Sequence, residues 1–207
     1  MPLQSLIERL RDRGGKVLGR PRREDVLKLL PKESVGAEIG VFKGEFTAHI
    51  LRTVEPQELH LIDAWWLMYG EYYPDWGPYT EFGKLKTYDA FEHAHRTVRR
   101  LDRRRAAIFH VADDLACLGQ FPDRYFDWVY LDTSHDYAHT RKELTVLQRK
   151  VKMGGLIVGD DWQPDASHLH HGLCLAVREF CHSEDWELIH VDSFGQWGIR
   201  GGTRGRC

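Results

Sequence analysis

The sequence has few cysteines, and they follow no regular spacing. The four are Cys117, Cys174, Cys181 and Cys207, with no C-x-x-C pair and no histidine pattern typical of a zinc site. In a chain of 207 residues, four scattered cysteines do not form a disulfide framework. We therefore expect these thiols to be ordinary buried side chains.

The sequence also lacks an excess of charge of one sign and long apolar runs. The 29 basic and 31 acidic side chains give a formal net charge of -2, so no global field attracts nucleic acid or an anionic membrane. No run approaches the ~18 apolar residues of a membrane span. Charged residues at 8–13 occupy the place of a signal peptide's apolar region. These absences predict a cytoplasmic protein with no nucleic-acid and no membrane partner.

An arginine-rich run at 99–105 does not change that expectation. On a helix, most of these arginines would lie opposite Phe91, Val98 and Leu101. We interpret the run as a solvated helix face rather than an RNA-binding patch, although a patch for an anionic substrate or partner stays open.

What is present is the composition of a folded domain. Hydrophobic residues make up 42% and charged residues 29%, the usual balance of a soluble protein. We expect one domain at 35–207, preceded by a helical extension at 1–34 with helices at 3–13 and 25–30. The amphipathic first helix is a candidate contact for a homo-oligomer.

Short apolar segments alternate with helical patterns from residue 35 onward. The segments LHLID, DWVYLD and GLIVGD end at Asp63, Asp132 and Asp160, and each suits a strand buried on both faces. Strands alternating with helices predict an α/β, doubly wound fold with a mostly parallel sheet. The last two segments, 186–191 and 194–200, are close enough to pair antiparallel.

Acidic side chains stand at the predicted strand ends, where ligands bind in such folds. They are Glu38, Asp63, Asp113, Asp132, Asp160 and Asp161. Each alone is better explained as a helix cap or a solvated loop residue, but together they predict an acidic binding site. Glu38 also stands where a dinucleotide-binding loop has its first glycine, and a carboxylate there suits a ligand with an ammonium or sulfonium group.

Several segments resemble the motifs of class I S-adenosylmethionine-dependent methyltransferases. VGAEIGVFKGEFT resembles their first motif, LHLIDAW the second, HVADDLACL the adenine-side loop, and FDWVYLDTSHDYAHTRKEL with MGGLIVGDDW the fourth and fifth strands. The D-x-x-H-D-Y and GG-L-I-V-x-D-D patterns are similar to a small-molecule O-methyltransferase subfamily that includes macrocin-type and catechol enzymes. The resemblance implies a Rossmann-like, seven-stranded sheet with an antiparallel last strand. It also implies methyl transfer from S-adenosylmethionine to a small-molecule hydroxyl acceptor.

The resemblance also implies roles for single residues. Those implied to bind the cofactor are Glu38, Gly40, Gly44, Asp63, Trp65 beside the adenine, and Asp113 near its exocyclic amine. Metal-dependent relatives carry acids at the positions of Asp132, Asp160 and Asp161, and three carboxylates favour Mg²⁺. A bound dication would lower the pKa of a coordinated hydroxyl.

His135 is the implied general base, because catechol relatives have a lysine at its position and a histidine can accept a proton near neutral pH. The sugar-modifying relatives instead use an aspartate at the position of Ser134. Two other functions stay open: a metal-independent methyltransferase with another acceptor, and a non-catalytic S-adenosylmethionine-binding module.

Two further segments have both a structural and a functional interpretation. Residues 64–91 contain ten aromatic side chains interrupted by glycines and prolines; we interpret them as a lid insertion over the cofactor, the alternative being a loop that packs its own rings. His168, His170 and His171 follow the fifth strand and are either solvated or part of the site.

Overall fold

The computed structural model describes residues 22–202. The expected helix at 3–13 lies outside these residues. The expected helix at 25–30 is a 3-10 helix, Arg23–Leu29, which buries Val26 and Leu27 in the core.

The described residues form a seven-stranded sheet in the order β3-β2-β1-β4-β5-β7-β6. Its strands are β1 Val35–Ile39, β2 Glu58–Asp63, β3 Ala107–Val111, β4 Phe126–Leu131, β5 Val151–Gly159, β6 Trp186–Val191 and β7 Trp197–Gly201. Neighbours among β1 to β5 pair parallel, whereas β7 pairs antiparallel with both β5 and β6. The predicted fold class is therefore confirmed, including the reversed last strand.

Helices cover both faces of this sheet. They are α1 Glu45–Thr53, α2 Trp66–Tyr69, α3 Thr87–Leu101, α4 Asp114–Gln120, α5 Tyr137–Lys150 and α6 His171–Ser183. Along β4, Trp128 and Tyr130 pack with residues of α1 and α3, whereas Val129 and Leu131 pack with α4, α5 and α6. This alternation follows from the two-residue period of a strand, and it places the sheet between two apolar layers.

Close packing at the end of β1 explains Gly40. Its φ is +86°, and a Cβ there would lie 1.8 Å from the carbonyl oxygen of Asp132. Only glycine accepts both the left-handed backbone and this approach. The first loop is thereby held against the loop that follows β4.

Residues 87–91 of the segment expected to form a lid, 64–91, belong to α3, which begins at Thr87; the lid role stays a prediction. Residues 64–86, which we call the aromatic segment, hold α2, a 3-10 turn at Gly77–Thr80 and a bridge between Tyr72 and Lys86. Within the described range, no helix is long and apolar enough to cross a membrane.

Candidate active site

Acidic side chains gather at the carboxyl edge of four neighbouring strands. Glu38 lies near the end of β1 and Asp63 ends β2, while Asp132 follows β4 and the pair Asp160 and Asp161 follows β5. Since these strands are parallel and adjacent, their ends share one edge of the sheet. The predicted acidic edge is therefore present.

Glu38 is almost completely buried there, with 1% of its surface exposed. Its carboxylate accepts a hydrogen bond from the Thr47 hydroxyl at 2.5 Å. Burial, together with the charges of Asp132 and Asp63, raises its pKa to about 8. The group is therefore largely protonated at neutral pH, and a positively charged ligand would favour its ionised form.

Asp63 ties the first loop to the end of β2. One oxygen accepts the backbone N–H groups of Val41 and Phe42 at 2.9 and 2.8 Å, and the other accepts that of Trp65 at 2.9 Å. Burial raises the pKa of this carboxyl, against the lowering effect of these bonds. Asp63 thus shapes the loop in which Gly40 and Gly44 lie.

Gly44 packs closely against α3. Its φ is +71°, and a Cβ at this position would meet the α3 backbone at Ala94.

Of the two residues implied to contact the adenine, Trp65 is placed differently from that expectation, whereas the role of Asp113 stays a prediction. The Trp65 side chain is fully buried, packs edge-on against Phe91 and donates its indole N–H to the Phe42 carbonyl. It therefore presents no exposed face to a ligand. Asp113 is exposed and is the N-cap of α4, where its side chain accepts the backbone N–H of Ala116 at 2.8 Å.

The aromatic segment places a buried phenol near Asp63. Tyr73 is 3% exposed, and its hydroxyl has no hydrogen-bond partner among the described residues. Its ring packs against Phe42 and Trp76, with centroids 5.1 and 5.4 Å apart. Burial and the charge of Asp63 raise the pKa of Tyr73. A buried donor without a partner is costly, so this hydroxyl is available to a ligand.

The three carboxylates expected to bind Mg²⁺ are divided between two groups. Arg23 donates to Asp132 at 3.0 Å and also to Asp160. Asp161 instead faces His135 and His170, with nitrogen-to-oxygen distances of 3.3 and 2.9 Å. The Arg23 guanidinium thus contacts Asp132 and Asp160, while His135 lies between Asp132 and Asp161, 3.4 and 3.3 Å from them. In this arrangement the three carboxylates face Arg23 and imidazoles rather than one shared point, which does not favour the all-oxygen coordination of Mg²⁺. Their role as metal ligands stays a prediction.

His135 lies at this edge, as the sequence predicted, and is 7% exposed. Burial lowers its pKa, but Asp132, Asp161 and Asp160 outweigh that effect through hydrogen bonding and charge, so its pKa is raised. Nε2 of His135 and Nδ1 of His170 are buried, and their nearest carboxylates among residues 22–202 are Asp132 at 3.4 Å and Asp161 at 2.9 Å. His135, Asp161 and His170 also bring one potential ligand atom each within 4.8 Å of one another.

A second polar cluster joins α4 to α5. His139 lies 2.6 Å from Asp114 and 3.6 Å from Glu143, which accepts the Thr133 hydroxyl at 2.8 Å. Burial and the neighbouring Asp114 raise the pKa of Glu143 to about 8, and the hydrogen bond to Asp114 raises that of His139 to about 9. The cluster fixes the start of α5 beside the loop after β4.

The sequence analysis did not identify Arg23 as a residue of the site, and it left open whether His170 is solvated or part of the site. Arg23 belongs to the extension, and nothing in its local pattern indicates contacts more than 100 residues away. The three histidines after β5 did carry a signal, but only the structure separates them: His170 faces Asp161, whereas His168 is exposed and accepts the backbone N–H of His170.

Comparisons with known proteins agree with this architecture. A family profile described as "Methyltransferase domain" matches residues 37–162. A search of curated proteins returns no match. The Corynebacterium glutamicum protein of known structure is 12% identical, with a TM-score of 0.65 over 98% of this chain and 91% of that one.

Two other solved structures share the fold. Cofactor-bound Rv0187 from MTB is 13% identical, with a TM-score of 0.61 over 98% of this chain and 90% of its own. The [4+2]-cyclase SpnF is 10% identical, with a TM-score of 0.59 over 87% and 80%. At such identities the likeness concerns the fold alone, and a cyclase among these structures shows that the fold does not fix the reaction.

Proposed function

This chain belongs to the methyltransferase-domain family of class I S-adenosylmethionine-dependent enzymes, and we propose that it methylates a hydroxyl oxygen of a small molecule with His135 as general base. The observation that carries the proposal is the placement of His135. Its imidazole lies at the edge beyond β4, between Asp132 and Asp161, at 3.4 and 3.3 Å.

The residues at the ends of β1 and β2 suit a positively charged cofactor. Glu38 offers a buried carboxyl that becomes anionic beside a cation, Asp63 holds the loop between strand and helix, and Tyr73 offers an unpartnered hydroxyl. We assign S-adenosylmethionine to this part of the edge. When bound, it supplies an electrophilic methyl group on a sulfonium centre.

His135 performs the proton transfer in the proposed reaction. The hydroxyl proton of the acceptor would pass to the imidazole of His135 as the acceptor oxygen takes the methyl group that bound S-adenosylmethionine would supply. Asp132 and Asp161 stabilise the resulting imidazolium by charge. A positioned base of this kind contributes about 10²–10⁴-fold to a rate.

The aromatic segment supports an acceptor of small size with a ring or an apolar face. Tyr79 and Phe82 expose 74% and 65% of their surfaces, while Tyr73 contacts Phe42 edge-on and Trp76 lies tilted against it. Aromatic walls with few polar groups are typical of small-molecule pockets. Phenols and sugars are therefore the first acceptors to examine.

Calorimetry and product analysis test the proposal together. We expect S-adenosylmethionine to bind the wild-type chain and Asp63→Ala to weaken that binding, since each lost hydrogen bond to a charged group costs about 1.5–3 kcal/mol. Asp75→Ala, at an aspartate in the exposed part of the aromatic segment, is the control. Incubation with a panel of phenols and sugars should yield an O-methyl product.

The outcomes separate the alternatives. Cofactor binding without turnover on any acceptor would favour a non-catalytic binding module. A product methylated on nitrogen or carbon would favour another acceptor class. Unchanged affinity in Asp63→Ala would remove the cofactor assignment at this edge.

A further inference from the structure

Arg23 bridges the ends of two strands from outside the sheet. It begins the 3-10 helix Arg23–Leu29, and its Nη2 atom lies 3.0 Å from Oδ2 of Asp132. The same nitrogen hydrogen-bonds to Oδ2 of Asp160, which follows the neighbouring strand. One cationic group therefore joins the two carboxylates that were expected to share a metal ion.

The other polar atoms of Asp160 are already engaged. Its Oδ1 accepts a hydrogen bond from Gln196, whose amide oxygen accepts the Tyr130 hydroxyl at 3.0 Å. Its backbone carbonyl accepts the Trp197 indole N–H at 2.9 Å. The side chain is therefore oriented toward Arg23 by Gln196, the residue before β7, which is itself bonded to Tyr130 of β4.

An aromatic ring supports the guanidinium from below. The Arg23 guanidinium carbon lies 5.0 Å from the ring centroid of Phe46, a cation–π contact, and Phe46 stacks on Tyr130 at 4.2 Å. Arginine suits this place because its planar guanidinium presents several donors at fixed angles, which a lysine ammonium cannot do. Partial burial lowers the pKa of Arg23, but Tyr130, Asp160 and Asp132 outweigh that effect and raise it, although 45% of the side chain is exposed.

We propose that Arg23 is the resident cation of this edge, that it occupies the place of a divalent metal between Asp132 and Asp160, and that methyl transfer proceeds without such a metal. The part that concerns transfer rests on the proposed function, whereas the part that concerns cation binding does not. The balance of charge is the physical reason. Two adjacent carboxylates repel each other unless a cation lies between them. The guanidinium supplies that cation and, unlike a metal ion, is covalently attached to the chain and does not dissociate from it.

Arg23 thereby acts as a positioning residue. While Oδ2 of Asp132 is bonded to Arg23, Oδ1 of the same carboxylate lies 3.4 Å from Nε2 of His135. Fixing one oxygen orients the other toward the base. Loss of Arg23 should therefore disturb His135 without removing any group that accepts the proton.

Titration with Mn²⁺, followed by electron paramagnetic resonance of the free ion, tests the proposal without requiring turnover. Arg23→Met removes the charge at similar length, and Arg22→Met is the matched control because Arg22 is exposed next to it. We expect Arg23→Met to gain one Mn²⁺ site that a second substitution, Asp160→Asn, removes. In the wild-type chain and in Arg22→Met, Mn²⁺ binding should not change when Asp160→Asn is added.

A Mn²⁺ site in the wild-type chain that Asp160→Asn removes would overturn the proposal, because the acid pair would then bind metal in the presence of Arg23. This measurement stands even if Arg23→Met fails to fold. Once an acceptor is known, wild-type turnover should persist in excess chelator, and Arg23→Met should lose about tenfold or more in kcat through misplacement of the base. Loss of wild-type turnover in excess chelator would also overturn the proposal that Arg23 replaces a metal ion. Absence of methyl transfer to any acceptor would instead contradict the proposed function alone.

Discussion

The Nε2 atom of His135 lies 3.4 Å from Oδ1 of Asp132, three residues earlier in the chain. On the other side of the ring, Nδ1 lies 3.3 Å from Oδ2 of Asp161. The imidazole thus has a carboxylate at each nitrogen, an arrangement that favours its protonated form. The proton affinity of the proposed base is therefore set by residues that follow two neighbouring strands, β4 and β5.

The pH profile of turnover should reveal this pairing. A base must be neutral to accept a proton, and the pKa of His135 is raised above its ordinary value of 6.5, so kcat should fall with decreasing pH through a midpoint above that value. Asp161→Asn removes one carboxylate and should move the midpoint down by roughly one unit. Asparagine tolerates the left-handed φ of +60° at this position. An unchanged midpoint in Asp161→Asn would contradict an effect of Asp161 on the pKa of the proposed base.

Cofactor affinity should depend on pH through Glu38. The pKa of this carboxyl is raised to about 8, and a positive ligand binds its ionised form better, so affinity for S-adenosylmethionine should rise as pH increases from 6 to 9. Glu38→Gln should bind more weakly at high pH and lose this rise. Comparing the two proteins by calorimetry cancels the titration of the cofactor itself. Parallel pH curves would contradict a contact with Glu38.

His139 should stabilise the fold at neutral pH. Its pKa is raised to about 9, so its contribution is full below its ordinary value of 6.5 and is lost as pH rises through about 9. His139→Ala leaves Asp114 and Glu143 without their cation and should cost about 1.5–3 kcal/mol at pH 7. The exposed His182 offers a control, His182→Ala. The free energy of unfolding in urea should be compared between wild type and His139→Ala at pH 7 and pH 10. If the difference does not become smaller at pH 10, the assignment is contradicted.

Zinc should inhibit the enzyme by occupying its base. His135, Asp161 and His170 bring potential ligand atoms within 4.8 Å, and imidazole with carboxylate suits zinc better than magnesium. His170→Gln should raise the inhibitory Zn²⁺ concentration about tenfold or more, since one of three ligands is lost. Replacing the exposed His168 instead should have little effect. Equal inhibition of both variants would place the zinc elsewhere.

The sheet could be predicted because its signals are local. Three of the strands, β2, β4 and β5, are apolar runs that end at an acid or are followed directly by one, as at Asp63 and Asp132, and parallel strands bring such ends to one edge. The position of His135 followed from the same rule, since it comes three residues after Asp132. Chain topology therefore predicted the acidic edge and the placement of His135 at it, whereas its role as a base stays a proposal.

The partners of these residues could not be predicted in the same way. Arg23 reaches Asp132 across 109 positions of the chain, and only the packing of the 3-10 helix Arg23–Leu29 brings them together. Trp65 illustrates the opposite error: an aromatic residue after a strand suits either a ligand or the core, and burial against Phe91 decides for the core. The periodicity of apolar residues in the sequence does not distinguish an aromatic side chain that faces a ligand from one that packs in the core.

The direct measurement of the central claim is a comparison of wild type with His135→Ala, using an acceptor from the phenol and sugar panel. kcat and the Kd for S-adenosylmethionine should be determined on the same preparations. Loss of the base should lower kcat by about 10²–10⁴-fold, while the Kd stays close to wild type because His135 does not belong to the cofactor side of the edge. A His135→Ala enzyme whose kcat remains within about threefold of wild type would contradict general-base catalysis by this residue.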